Sequence, residues 1–423
     1  MSPTRTHSGS SILRRLVGCA LALAVTWAPA ADGPSLRTFT TQCLSDQFLS
    51  EGAAFGDFNH DGVLDVVSGP YWYQGPGFTV RHEYYPAKAF DPHGYSDNFF
   101  AWACDLNGDG NQDIVIVGFP GKDASWFENP GPGKDGAWAR HQVFDTVDNE
   151  SPAFSDVVGD ARSELLCISA GQVGYACVDW AAPAKPWAFH PVSAKGGWGR
   201  FTHGLGVGDL NGDGRKDILM REGWWEQPSD LGGDPQWAFH PVDFGGGGAQ
   251  MEVYDVNGDG RADVVTSLAA HDYGLAWFEQ NADHGFTRHL IMGDKPEENR
   301  YGVHFSELHA LQLVDMDGDG LKDIVTGRRW WSHGPHGAKD AEFTGVLYWF
   351  KLVRGPGGAI DWVPHLIHDA SGVGTQVMVG DLNGDGLPDV VVGNKKGTFV
   401  HLQHAQPVDQ AGYDAAQPKP LAH

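Results

Sequence analysis

One nine-residue pattern of oxygen-bearing side chains occurs six times in this chain. The pattern, D-x-(N/D)-x-D-G-x-x-D, has oxygen ligands at positions 1, 3, 5 and 9 and a glycine for the sharp turn at position 6. Such a loop can surround a hard cation, as the first part of an EF-hand loop does. We expect Ca²⁺, with Mg²⁺ as the alternative, in up to six loops. The predicted ligands are Asp57, Asn59, Asp61, Asp65, Asp105, Asn107, Asp109, Asp113, Asp209, Asn211, Asp213, Asp217, Asp255, Asn257, Asp259, Asp263, Asp315, Asp317, Asp319, Asp323, Asp381, Asn383, Asp385 and Asp389.

The spacing of the loops indicates the fold. A seventh copy begins at Asp156 but lacks the oxygen at position 3 and the glycine at position 6, so we expect it to bind no cation. Successive copies start 46 to 66 residues apart, and a β-branched apolar run follows most of them. That period is typical of four-stranded propeller blades. The sequence therefore predicts an all-β, seven-bladed β-propeller with each loop between the first two strands of a blade.

The ends of the chain suggest how the ring closes. Most blades end in an outer strand with an aromatic-x-x-His pattern, whose histidines we interpret as structural: His82, His141, His190, His240, His289 and His365. No such strand follows residues 397–403, whereas the segment 36–43 stands alone before the first blade. We expect this N-terminal segment to complete the last blade, which would leave no free sheet edge.

A second group of polar residues lies six positions before the loops, near the opposite end of the inner strands. His203, His309, Glu51 and Glu150 occupy this register, where other strands are apolar. The connections after the second strands return to the same rim. Two or three histidines there could hold a transition metal such as Zn²⁺ or act as acid and base; the alternative is that they plug the channel as structural polar residues. The candidates for catalysis are His203, His309, His271, Glu307, Tyr273, Arg328 and Lys395.

The N-terminus predicts export. Arg14 and Arg15 precede an apolar stretch, and Ala28-Pro29-Ala30 offers a cleavage site, so residues 1–30 are interpreted as a signal peptide. The expected propeller covers 31–404, and 405–423 is expected to be a disordered C-terminal tail. The mature protein should be periplasmic or secreted. In that compartment Cys167 and Cys177 could close a disulfide across a hairpin.

The composition narrows the possible partners. The formal net charge is −25. Much of this acidity lies in the cation loops, and a strongly acidic protein is a poor partner for nucleic acid or for an anionic membrane. No other stretch of the sequence is long and apolar enough for membrane insertion. A concave rim that mixes aromatic, charged and histidine side chains suits a sugar ligand.

The repeats resemble the FG-GAP or VCBS calcium-loop repeats of integrin-α-like seven-bladed propellers. A narrower resemblance is carried by FTHGLGVGDLNGDGRKDIL, by YGVHFSELHALQLVDMDGDGLKDIVTGRRWWSHGP and by the last repeat. These segments look like the propeller part of aldos-2-ulose dehydratases and their bacterial relatives. That resemblance implies elimination of water from keto-sugars such as 1,5-anhydrofructose. The fungal enzymes resemble a propeller followed by cupin domains, so this chain would act alone or as a homodimer.

Elimination next to a ketone assigns provisional roles to the rim. The reaction needs a base for the carbon proton, an electrophile for the enolate oxygen and an acid for the leaving hydroxyl. His309 or His203 would be the base, a rim-bound metal or Arg328 and Lys395 the electrophile, and Glu307 or Tyr273 the acid. The first hypothesis is an exported keto-sugar lyase that eliminates water or an alcohol. The alternatives are a non-catalytic carbohydrate-binding or adhesive propeller and a scaffold that binds protein.

Overall fold

The computed structural model describes residues 33–134, 136–334, 339–340 and 342–422. Within these residues the chain forms seven four-stranded antiparallel sheets. In six of them the strands follow one another in chain order, so each sheet is one meandering blade. The prediction of an all-β, seven-bladed propeller is confirmed.

The blades are numbered in chain order, after a first strand β1 at Ser35–Ser45. Blade 1 contains β2 to β5, which are Ala54–Gly56, Asp65–Ser68, Tyr71–Tyr73 and Arg81–Glu83. Blade 2 contains β6 to β9, which are Phe100–Cys104, Asp113–Val117, Lys122–Glu128 and Ala139–Val147. Blade 3 contains β10 to β13, which are Ala153–Ser155, Glu164–Ser169, Gln172–Cys177 and Ala188–Pro191. Blade 4 contains β14 to β17, which are Leu205–Gly208, Asp217–Met220, Gly223–Glu226 and Ala238–Pro241.

The remaining blades follow the same order. Blade 5 contains β18 to β21, which are Glu252–Tyr254, Asp263–Ser267, Leu275–Gln280 and Phe286–Met292. Blade 6 contains β22 to β25, which are Leu311–Val314, Asp323–Gly327, Leu347–Arg354 and Ile360–His368. Blade 7 contains β26 to β28, which are Val377–Gly380, Asp389–Asn394 and Gly397–Pro407, and takes its fourth strand from elsewhere.

The fourth strand of blade 7 is β1. It pairs antiparallel with β28, from Ser35 opposite Pro407 to Ser45 opposite Thr398. The prediction that an N-terminal segment closes the ring is thus confirmed. Because the first and last strands of the chain share one sheet, β28 is not left as an edge strand and blade 7 has four strands like the other blades.

The hydrophobic core lies between adjacent blades. Second strands are apolar on both faces, as with Val66 and Val67 of β3, because each is covered by a neighbouring blade on either side. One cluster joins Val391 and Val400 of blade 7 to Val66 and Tyr73 of blade 1. The ring closure is therefore sealed by apolar packing as well as by the β1–β28 ladder.

The C-terminal segment corrects one expectation. Residues 405–423 were expected to be disordered, but β28 continues to Pro407 and a helix, α1, covers Gln410–Ala416. Two local causes explain the difference: β1 extends the ladder to Pro407, and the Asp409 side chain caps α1 by accepting a hydrogen bond from the Gly412 N–H at 2.7 Å.

Two further expectations concern cysteines and membrane segments. No disulfide joins Cys167 and Cys177, because Cys167 lies opposite Gly174 and Cys177 lies opposite Ala188 in the sheet. Among the described residues no helix has the length and apolar character needed to cross a membrane. The expected signal peptide at 1–30 lies outside the described residues.

Candidate functional site

The Asp-rich loops join the first and second strands of their blades, and each is shaped by its own first aspartate. In blade 2 the Asp105 carboxylate accepts hydrogen bonds from the N–H groups of Gly108, Asp109 and Gly110, at 2.8 to 3.1 Å. Gly110 has a φ of 90°, which glycine adopts at little cost. Five of the six intact loops repeat all three bonds, and the loop of blade 1 keeps two of them.

The last carboxylate of each loop ties it to the sheet. Asp113, which is fully buried at the start of β7, accepts hydrogen bonds from the N–H groups of Leu106 at 3.0 Å and Asn129 at 2.8 Å. Burial raises the pKa of Asp113 to about 7 despite these bonds. In blade 6, ligand oxygens of Asp315, Asp317 and Asp323 lie within 4.8 Å of one another. An all-oxygen donor set of this spacing fits Ca²⁺ or Mg²⁺.

The degenerate loop of blade 3 keeps the shape without the full set of oxygen ligands. Asp156 still accepts hydrogen bonds from the N–H groups of Gly159, Asp160 and Ala161, at 2.6 to 3.2 Å. Ala161 replaces the turn glycine and is held at a φ of 68°, a strained conformation for a residue with a Cβ. The hydrogen-bonded turn is thus a property of the backbone pattern, and the extra oxygens of the intact loops are not needed to form it.

At the opposite end of the inner strands three histidines come together. His203 precedes β14, His271 follows β19 and His309 precedes β22, so three successive blades contribute one ring each. The ring centroids are 4.8 to 5.5 Å apart, and one ligand nitrogen of each ring lies within 4.8 Å of the other two. The structure therefore brings together three of the residues that the sequence nominated: His203 and His309 from the strand register and His271 from a connection.

Each histidine also has one ring nitrogen next to an oxygen outside the cluster. His309 Nδ1 lies 3.2 Å from the Glu307 carbonyl oxygen, His271 Nδ1 lies 3.1 Å from Ser332 Oγ, and His203 Nε2 lies 3.4 Å from Glu150 Oε2. Such contacts are how proteins orient histidine ligands of a metal. They fix the rings, and one nitrogen of each ring lies close enough to the other two for a common centre.

The electrostatic surroundings favour neutral imidazole at the most deeply buried ring. His309 is 1% exposed, and burial lowers its pKa well below the usual value, with the positive charges of Arg329 and the two other histidines acting in the same direction. A neutral imidazole can bind a metal ion or accept a proton. His309 Nε2 is buried and has no hydrogen-bond partner among the described residues.

A layer of buried charge lies behind the histidines. Arg329 is 1% exposed; its guanidinium lies 2.8 Å from a Glu51 oxygen and 3.5 Å from a Glu150 oxygen. Burial alone would raise the pKa of Glu150, but the contact with His203 and the positive charges of His203 and Arg329 outweigh it and hold the pKa at about 2. Glu150 is therefore ionised, and it connects Arg329 to His203.

A fourth histidine, which the sequence did not predict, faces the cluster from the exposed side. His333 Nε2 lies 3.3 Å from His271 Nε2, and its Nδ1 lies 2.7 Å from the Tyr95 hydroxyl. Lys395 lies beside this pair, with Nζ 4.6 Å from the Tyr95 ring centroid and hydrogen-bonded to the Ser332 carbonyl oxygen at 3.3 Å. Burial lowers the pKa of Lys395 to about 8.

Three predicted residues lie around the cluster and not in it. The Arg328 guanidinium donates hydrogen bonds to the carbonyl oxygens of Lys339 and Asp340, both at 2.7 Å, so Arg329 is the arginine beside the site carboxylates. The Tyr273 ring stacks at 6.2 Å on His304. Glu307 is fully buried, has a strained φ of 66° and lies 3.9 Å from His271 through Oε2, where it supports the ring from behind.

Comparison with known proteins identifies the repeats. A family model of the FG-GAP repeat matches residues 373–409, and one of an FG-GAP-like repeat matches residues 255–326. These ranges include the loops of blades 5, 6 and 7.

Several solved structures are similar at low identity. A lectin of Agrocybe aegerita that recognises non-reducing terminal N-acetylglucosamine is 18% identical, with a TM-score of 0.46 over 89% of this chain and 86% of that chain. The rhamnogalacturonan lyase YesW is 13% identical, with a TM-score of 0.40 over 88% and 73%. The V. cholerae biofilm matrix protein Bap1 is 13% identical, with a TM-score of 0.36 over 88% and 84%. Likeness this distant does not indicate what the present chain binds. From its own sheets and its matched repeats, the chain is a seven-bladed β-propeller that contains FG-GAP repeats.

Proposed function

We propose that this protein is an exported carbohydrate-active lyase that eliminates water or an alcohol from a keto-sugar. The observation that carries the proposal is the convergence of His203, His271 and His309, each with its second ring nitrogen next to an outer oxygen. Three protein ligands and a side open to solvent are the arrangement of catalytic zinc sites. Substrates of this chemistry are 1,5-anhydrofructose, an aldos-2-ulose or a 3-keto-glycoside.

The three histidines would hold a transition metal such as Zn²⁺. A bound metal of this kind supplies a Lewis acid that polarises a ketone oxygen and acidifies the neighbouring carbon proton. The protein's part is to keep the rings in place. Glu150, Ser332 and the Glu307 carbonyl do so directly, and Arg329 holds Glu150 through the buried ion pair.

The residues on the open side account for the proton transfers. His333 takes the proton from the carbon next to the ketone, and its hydrogen bond to Tyr95 fixes the imidazole for that step. The electron pair of the broken C–H bond forms the new C=C bond as the C–O bond to the leaving hydroxyl breaks. Lys395, whose lowered pKa makes its ammonium a better acid than that of an ordinary lysine, donates the proton that completes the released water.

Aromatic surfaces beside the cluster suit a sugar ring. Trp330 and Trp331 stack on each other at 4.1 Å, are partly exposed and directly precede Ser332 and His333 in the chain. Rings that are apolar on one face and bordered by charged groups are suited to stack on a pyranose while its hydroxyls find polar partners. The ligand class in the proposal is therefore a sugar or keto-sugar.

The Asp-rich loops have a separate role in the proposal. We assign Ca²⁺ to the intact loops of blades 1, 2, 4, 5 and 7, because their predicted ligands are oxygen atoms only and the matched FG-GAP ranges include the loops of blades 5 and 7. They lie at the rim away from the histidines and would hold the blades in shape. Export to the periplasm or the medium is part of the same proposal, and it rests on the signal peptide predicted at residues 1–30.

The test of the proposed function is an ultraviolet assay for a conjugated enone. The Zn²⁺-loaded and Ca²⁺-loaded protein is incubated with 1,5-anhydrofructose, with glucosone and with a 3-keto-glycoside, and absorbance is followed. We expect an enone from at least one substrate, and none from the His309→Ala protein. If no enone forms while calorimetry detects binding of the same sugars, the propeller is a carbohydrate-binding module and the lyase proposal is wrong.

A further inference from the structure

One of the six intact loops differs from the other five at position 3. Five loops carry asparagine there, and only the loop of blade 6 carries an aspartate, Asp317. The residue that faces the end of this loop from the third strand of blade 6 differs as well. In β24, Phe350 pairs with Ile324, so Lys351 lies opposite Asp323, the last carboxylate of the loop. The residues at the corresponding position of β8, β16 and β20 are Glu128, Glu226 and Glu279.

In the blades with glutamate, the facing residue connects the loop to the outer strand. In blade 2 the Asn107 amide donates a hydrogen bond to Glu128 at 3.4 Å, and the other oxygen of Glu128 lies 2.9 Å from His141. In blade 5 the Asn257 amide donates to Glu279 at 3.1 Å, and Glu279 lies 2.8 Å from His289. In both blades the loop residue at position 3 is therefore a neutral asparagine, and the residue that faces it from the third strand is a negative glutamate.

In blade 6 the loop residue at position 3 is negative and the facing residue is positive. Lys351 Nζ contacts the Asp317 carboxylate and donates a hydrogen bond to Asp319 at 2.8 Å. The ammonium is mostly buried, with 15% of the side chain exposed. Arg37 of β1 also donates to the Asp317 carbonyl oxygen, so a second cation approaches the same loop. The outer-strand histidine, His365, stacks on Trp349 at 4.4 Å, and its Nε2 has no hydrogen-bond partner among the described residues.

The arginines of two other loops contact fewer ligand carboxylates. Arg215 of blade 4 and Arg261 of blade 5 belong to their own loops, and each contacts only the carboxylate at position 5. Lys351 comes from another strand and bridges the carboxylates at positions 3 and 5, two of the predicted cation ligands. A divalent ion could use these oxygens only if the ammonium moved away, because the two positive charges would repel each other at that distance.

We propose that in blade 6 the Lys351 ammonium replaces the divalent cation, so that this loop is closed by the protein's own charge and takes up no Ca²⁺. The inference rests on the proposal that the other five intact loops bind Ca²⁺. It predicts that in chelator the loop of blade 6 keeps its structure, whereas the five other intact loops each lose a bound Ca²⁺.

The first experiment uses the unmodified protein. Crystals grown in CaCl₂ are measured at a wavelength where calcium scatters anomalously. We expect anomalous peaks in the intact loops of blades 1, 2, 4, 5 and 7 and none in blade 6. A peak between Asp315 and Asp323 overturns the inference. The absence of peaks from all six loops contradicts the calcium assignment itself, and the inference falls with it.

The second experiment counts ions by native mass spectrometry at saturating Ca²⁺. Lys351→Met keeps the apolar stem and removes the charge, and we expect it to bind one more Ca²⁺ than the unmodified protein. The double variant Asp317→Asn/Lys351→Glu reproduces the pattern of blade 2 and should also gain one ion. Glu128→Met, the matched control in blade 2, should gain none. Equal counts in the unmodified protein and both Lys351 variants overturn the inference.

Discussion

The two ends of the inner strands are built on opposite principles. At the loop end, one local pattern is repeated, and each intact loop is shaped by hydrogen bonds to its own first aspartate, as between Asp105 and Gly110. At the histidine end, no sequence pattern recurs from one blade to the next. There the site combines single residues of different blades, such as His203 before blade 4, His309 before blade 6 and Lys395 in blade 7. The comparison indicates that the repeated residues stabilise the propeller. The residues that break the repeat are those to which we assign its function.

The largest expected effect concerns the loop end. Removing divalent ions with a chelator should lower the melting temperature by about 10 °C or more, because one site held at ~1,000 times its dissociation constant contributes about 4 kcal/mol to stability. Added Ca²⁺ should restore it. Thermal unfolding followed by circular dichroism measures the change. The His309→Ala protein must show the same fall, since otherwise the chelator acts through the histidine end.

The next effect concerns the histidine end. His309→Ala and His203→Ala should each lower turnover of a keto-sugar by ~100-fold or more, the scale of losing an essential active-site group. Because both residues lie away from the cation loops, the melting temperature in Ca²⁺ should change little. Enone absorbance measures the rate. Full turnover in both variants, or a loss explained by unfolding, would make the histidines structural plugs.

A pair of single substitutions isolates one bound ion. Asp109 in blade 2 and Asp160 in blade 3 each accept a hydrogen bond from the N–H two residues on, at 2.8 and 2.9 Å. Only Asp109 belongs to a loop with all its predicted ligands. Asp109→Ala should therefore cost about 2 to 4 kcal/mol in saturating Ca²⁺, because an ion is lost, and Asp160→Ala should cost much less. Chemical denaturation measures the free energy of unfolding of both variants. An equal loss in Asp109→Ala and Asp160→Ala would mean that the loops stabilise the protein through their hydrogen bonds alone.

The smallest effect is expected on an outer strand. His240 stacks on Trp224 at 4.1 Å and lies 2.9 Å from Glu226. Both partners are partly exposed, so His240→Ala should cost about 1 kcal/mol and leave turnover unchanged. Urea unfolding and the enone assay measure the two quantities. A loss of turnover without a loss of stability would move the functional site to the outer strands.

The sequence predicted the loop end well because its information is local. Ligand spacing, the glycine turn and the following apolar run lie within a few residues of one another, and the repeats count the blades. Closure by β1 was also predictable, since blade 7 lacked an outer strand. The helix after Asp409 was missed, because a composition rich in proline, alanine and glutamine concealed one capping side chain.

The histidine end was predicted only in part, for a physical reason. Strand register relates His203 to His309. The irregular connections beyond the strand ends have no regular side-chain alternation, so the sequence does not predict which of their residues face the site. His333 and Tyr95 come from two such connections, and their contact depends on how two distant blades meet in the ring. The sequence nominated Arg328, whereas its neighbour Arg329 contacts the site carboxylates, because past Gly327 the alternation of the strand no longer indicates which side chain turns inward.

The most direct test of the account is a metal inventory of three proteins: the unmodified chain, His309→Ala and Asp109→Ala. Each is loaded with Ca²⁺ and Zn²⁺, desalted and analysed by inductively coupled plasma mass spectrometry. We expect about one Zn²⁺ per chain in the unmodified protein and in Asp109→Ala, and almost none in His309→Ala. Calcium should fall by one in Asp109→Ala alone. A zinc content that is unaffected by His309→Ala, or calcium and zinc that fall together in both variants, would contradict the division of the propeller into two independent ends.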